Sequence, residues 1–94
     1  MDVSAPIASD LGPLLERLRV LGVTVQGFEY DARAFGNYYV DCAGRRGQMR
    51  LSRDRGQFLL DGDQEQIRRL GFFRAFDSKD EFIAAVLSYA QSVA

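Results

Sequence analysis

Histidine is absent from this chain, and with it go His-based general acid–base catalysis, every Ser-His-Asp or Cys-His arrangement and nearly every transition-metal site. A single cysteine, Cys42, rules out an intramolecular disulfide and a zinc cluster, and it fits a reducing compartment. Lysine is nearly missing: of the twelve basic residues, all but Lys79 are arginine. No run approaches the ~20 apolar residues of a membrane span. The first ten residues, MDVSAPIASD, carry an acid at Asp2, no basic region and no apolar core. No signal peptide is expected there, and the cytoplasm is the expected compartment.

What is present describes a folded domain. With 47% hydrophobic, 27% charged and 12% aromatic residues the chain has the composition of a packed protein, not a disordered one. Ninety-four residues suffice for one domain with one modest core. The net charge of −1 provides no overall field toward nucleic acid or membrane.

Asp10 stands where a helix N-cap belongs and Pro13 in the first turn. Leu11, Leu14, Leu15, Leu18 and Leu21 then recur at helical spacing until Gly22. A helix is expected over about 11–21, after a loose lead-in at 1–9, with the folded domain spanning 10–94. From Val23 the period becomes two. Val23 and Val25, then Phe28 and Tyr30, share one face if the strand bulges at Gly27. Tyr38, Val40 and Cys42, then Met49 and Leu51, then Phe58 and Leu60, alternate with polar neighbours. Turn chemistry at 31–37, 43–47 and 53–56 separates four short strands, so hairpins and an antiparallel meander follow. The Arg53–Gly56 connection is expected to be three to four residues long, with Gly56 taking positive φ. Capping boxes at Asp63–Gln66 and Ser78–Glu81 start a short helix near 64–70 and a longer one behind Phe82, Ile83, Val86, Leu87 and Ala90. Phe72, Phe73 and Phe76 between them read as a plug for the end of the core. The order α-β-β-β-β-α-α predicts an α+β two-layer sandwich: a four-stranded antiparallel meander with the N- and C-terminal helices on one face and the other face free.

Recognised chemical motifs fail on inspection. Asp61, Asp63 and Glu65 occupy the first, third and fifth positions of a would-be calcium loop, but Gln66 and Phe72 stand where it needs Gly and Glu. Cys42 falls on the apolar face with Tyr38 and Val40 and reads as a small hydrophobe. No catalytic residue, metal or cofactor is expected. The positive feature is electrostatic: Arg45, Arg46, Arg50, Arg53 and Arg55 accompany one acid, Asp54, between Ala43 and Gln57. Strand alternation assigns Arg50, with Tyr39 and Asp41, to the uncovered face. Arg and Tyr are over-represented at interface hot spots. Tyr39, Arg45, Arg46, Arg50, Arg53 and Arg55 are therefore the expected partner-binding set, with an acidic protein surface as complement. A small nucleic-acid-binding regulator using the Arg-rich hairpin is the alternative. No membrane partner is expected, and a monomer and a homodimer both remain open.

The segments Phe35-Gly36-Asn37-Tyr38-Tyr39-Val40, Arg50-Leu51 and Arg53-Asp54-Arg55-Gly56-Gln57-Phe58 resemble a pattern in short bacterial proteins, some of them similar to immunity proteins that neutralise a cognate toxin. The resemblance covers about 35–61. It implies an α+β domain without catalytic residues whose activity is holding a partner protein, a toxin in the immunity case.

Overall fold

A computed structural model describes residues 2–94. Helix α1 (Ala5–Val20) leads into strands β1 (Thr24–Asp31), β2 (Asn37–Ala43), β3 (Gln48–Asp54) and β4 (Gln57–Asp61), followed by helices α2 (Gln64–Arg69) and α3 (Lys79–Val93). The strands form one antiparallel sheet in the order β1-β2-β3-β4. The architecture is the expected α+β meander with its helices packed on it. No helix among the described residues is long and apolar enough to cross a membrane.

The first helix departs from expectation. It begins at Ala5, not near residue 11, with Ser4 in extended geometry at the N-cap and Pro6 in the first turn. Of the loose lead-in expected at 1–9, the part from Ala5 onward is helical. The physical reason is Ile7. It lies one helical step before Leu11 and extends the stripe of Leu11, Leu14 and Leu18, all four fully buried. Burying such a side chain contributes about 1.5–3 kcal/mol, which offsets the penalty of roughly 3 kcal/mol for Pro13 inside the helix. Asp10 consequently lies in mid-helix and caps nothing. The helix ends as the sequence suggests. Gly22 takes φ +91°, and the Val23 amide donates to the Leu18 carbonyl at 2.8 Å, closing the last turn.

The sheet's two faces follow from register. The β1–β2 register shifts between Val25 and Gly27, and this bulge keeps Val25, Phe28 and Tyr30 opposite Cys42, Val40 and Tyr38. Those residues join Met49, Leu51, Phe58 and Leu60 on the face that meets α1 and α3. Phe58 stacks on Phe82 of α3 at 5.1 Å, and Phe76 tilts against Phe82 at 5.8 Å. Phe76 also exchanges main-chain hydrogen bonds with Phe58 and so covers part of the outer edge of β4. Of the three aromatic residues expected to plug the core, Phe76 is buried, whereas Phe73 is half-exposed beneath the Arg68 guanidinium. At each expected capping box the N-cap half forms: Asp63 accepts from the Gln66 main-chain amide and Ser78 from the Glu81 main-chain amide. The return bond is replaced by other partners, the Asp63 amide donating to the Tyr89 hydroxyl and Glu81 accepting from Arg74. The β3–β4 loop is shorter than expected, only Arg55-Gly56. Both residues take positive φ (52° and 84°), as a tight hairpin turn requires.

Candidate functional site: the open sheet face

All three helices bury their apolar sides into the cluster on the core face, and the opposite face of the sheet is left bare. Its centre is set by register. Arg50 on β3 lies between Asp41 on β2 and Asp61 on β4, and Tyr39 on β2 lies beside Glu29 on β1. The Arg50 guanidinium makes a two-point pair with Asp41, Nε to Oδ1 at 2.7 Å and Nη2 to Oδ2 at 3.0 Å. It lies 3.9 Å over the Tyr39 ring. The Tyr39 hydroxyl donates to Glu29 at 3.2 Å. That hydrogen bond, with the Glu29 charge behind it, raises the Tyr39 phenol above its ordinary value, and the bond to Asp41 raises the Arg50 guanidinium. Glu29, Tyr39, Arg50 and Asp41 thus form a continuous string across three strands at the surface. Two shallow depressions, of about 370 Å³ and 740 Å³, flank this string, and Arg50 and Asp61 border both.

The arginines gathered by sequence are not gathered in space. Arg50 alone sits on the open face. Arg53 shares a side with Leu51 and pairs across the sheet with Tyr38 and Phe58, so it belongs to the core face. Its side chain passes over the Phe58 ring, and Nη1 donates to Asp10 of α1 at 2.8 Å. The Tyr38 hydroxyl donates to the same carboxylate oxygen at 2.9 Å. Arg53 is therefore a tie between sheet and helix, contrary to the expected binding role. Arg46 serves the end of α3. Its main-chain amide donates to the Val93 carbonyl, and its guanidinium to the carbonyls of Gln91 and Ala94, where a cation complements the helix terminus. Arg45 is exposed in the turn between β2 and β3, and Arg55 in the turn between β3 and β4, where it approaches Asp54 at 4.0 Å.

The open face carries the opposite charge to the one expected. Alternation puts Glu29, Asp31, Asp41, Asp54 and Asp61 on it, five carboxylates against the single guanidinium of Arg50. The five acids come from four different strands, whereas the arginines are neighbours in sequence. Counting along the chain therefore found the cations and missed the acids. Leu59 and Ser52 complete the centre of the face. Cys42 is buried on the other side, and desolvation together with the nearby Asp41 charge pushes its thiol up to about 12, so it is no nucleophile at neutral pH. No group of three or more metal-ligating side chains that could hold an ion occurs among the described residues.

Fold and face together define a two-layer α+β module with one solvent-facing, acidic, Tyr- and Arg-centred sheet surface. Comparison with protein-family models, curated proteins and solved structures finds no match to the chain.

Proposed function

We propose that this chain is a protein-binding module that holds its partner against the open sheet face. The observation that carries the reading is the Glu29–Tyr39–Arg50–Asp41 string, in which an arginine and a tyrosine are already oriented at the centre of a bare four-stranded surface. Groups fixed before binding lose less conformational freedom on association, which favours tight complexes. The surrounding carboxylates make a basic partner surface the complement, in place of the acidic one expected from the arginine count. The resemblance of the hairpin region to immunity proteins makes a toxin the first partner class to test. A nucleic-acid reading gains nothing from an arrangement that disperses Arg45, Arg46, Arg53 and Arg55 and surrounds Arg50 with acids.

The test is charge reversal at two acids that flank the Arg50–Asp41 pair, Asp61 across the register from Arg50 and Glu29 beside Tyr39. The double variant Glu29→Lys, Asp61→Lys should keep its melting temperature within a few degrees, because exposed substitutions of this kind change stability by about 0.5 kcal/mol or less. Affinity for the partner recovered from the source cells should fall at least tenfold, and added salt should weaken the native complex. A double variant that binds the same partner with native affinity would show that the face is not the interface.

A further inference from the structure

The end of the sheet that carries the β1–β2 and β3–β4 turns presents a second feature, which rests on the reading of the chain as a protein binder but not on the charge of the sheet face. Phe35 is 80% exposed, more than any other large hydrophobic residue described, and its φ of +59° lies in the left-handed region. A bulky residue rarely adopts that conformation, and one that does so is held there by its surroundings. The surroundings are identifiable. The Asn37 amide donates to the Ala34 carbonyl at 2.9 Å and closes a tight turn over Phe35-Gly36. The Asn37 side chain then joins this turn to its neighbour: Nδ2 donates to Asp54 at 3.1 Å, and Oδ1 accepts from the Arg55 amide at 2.9 Å. Two left-handed turns are thereby locked side by side, with the Arg55 guanidinium 5.8 Å over the Phe35 ring. The phenyl ring stands outward in water on a hydrogen-bonded frame.

We infer that Phe35 is a preorganised anchor that enters an apolar socket on the partner protein, with Arg55 meeting a carboxylate at the socket's rim. Aromatic and arginine side chains carry a disproportionate share of binding energy when desolvated at an interface. A rigid support spares them the ordering penalty of a mobile loop. A protein socket fits better than a membrane surface. The knob offers one aromatic ring, and Asp31 and Asp54 at its base would repel anionic headgroups.

The experiment places the photoreactive residue p-benzoylphenylalanine at position 35, or at the exposed Phe73 as control, and irradiates cells of the source organism. Affinities of the cross-linked protein are then measured for the native chain, Phe35→Asn and Phe73→Ala. Asparagine accepts left-handed geometry, so Phe35→Asn should keep or raise the melting temperature while removing the ring. The expected result is one discrete protein adduct from position 35, affinity reduced about tenfold or more by Phe35→Asn, and affinity unchanged within twofold for Phe73→Ala. A lipid adduct, an adduct no stronger than that from position 73, or native affinity for Phe35→Asn would each overturn the anchor. A partner lost on reversing Glu29 and Asp61 but retained by Phe35→Asn would remove the anchor and leave the sheet face standing.

Discussion

Replacing Asp10 by alanine should destabilise the fold without touching the open face. In the native protein one Asp10 oxygen accepts from both the Tyr38 hydroxyl at 2.9 Å and the Arg53 guanidinium at 2.8 Å. Tyr38 is only 5% exposed, so its hydroxyl would lose its side-chain partner in a part-buried setting. Losing a hydrogen bond to a charged acceptor in that setting costs about 1.5–2 kcal/mol. The Arg53 pair adds less, about 0.5 kcal/mol, because the Arg53 side chain is 39% exposed and solvent screens the attraction. Alanine returns about 0.5 kcal/mol of helix propensity at a mid-helix position. The net loss is about 1.5–2 kcal/mol, and for a domain of this size the melting temperature should fall on the order of 10 °C. Urea denaturation of native, Asp10→Ala, Tyr38→Phe and the double variant gives both the loss and the coupling between the two groups, expected at about 1 kcal/mol. An Asp10→Ala protein within 0.5 kcal/mol of native, or two losses that simply add, would refute the helix–sheet tie and with it the assignment of Arg53 to structure.

Further outcomes follow from the same contacts. Arg50→Ala should change stability by less than about 1 kcal/mol in thermal melts, since its pair with Asp41 is solvent-exposed, whereas Arg53→Glu should unfold at clearly lower temperature by setting a carboxylate against Asp10. Gly62→Ala should lose roughly 1–3 kcal/mol in denaturant titration, because a Cβ there would lie 2.7 Å from the ring of buried Tyr89. Burial, then the hydrogen bond to Asp10, raises the Tyr38 phenol in the folded state, so the native protein keeps a proton that the unfolded chain releases near pH 10. Stability is then full below about pH 10 and declines as pH rises further, and Tyr38→Phe should flatten that alkaline decline in pH-dependent melts. Cys42, raised by burial and by Asp41 to about 12, should resist alkylation at pH 8 in the native state and react on unfolding.

The elements whose signals are local were legible in the sequence. Capping boxes lie within four residues, strand alternation within five, and the Gly27 bulge follows from four apolar residues needing one side of a strand. Ile7 was also readable, one helical step before Leu11, but the Asp10–Pro13 pair imitated a helix start and hid it. The side taken by Arg53 was available too. Residues 49, 51 and 53 share parity, so Arg53 had to follow Met49 and Leu51 to the covered face. Three facts depend on distant partners and were not legible: the gathering of acids from four strands, the Arg46 contacts with the end of α3, and the Asn37 link between two turns. The first and third need the register between strands and the second needs the placement of α3 against the β2–β3 turn, and both are specified only through the fold itself.

Tyr38 and Tyr39, adjacent in the chain and on opposite faces of β2, make it directly measurable by hydroxyl-radical footprinting whether a partner covers the open face. In the purified protein Tyr39 should be modified and Tyr38 spared; in the source cells Tyr39 should become protected while the rim residue Arg45 stays as reactive as before. Equal modification of Tyr39 in both settings would contradict a partner on the open face.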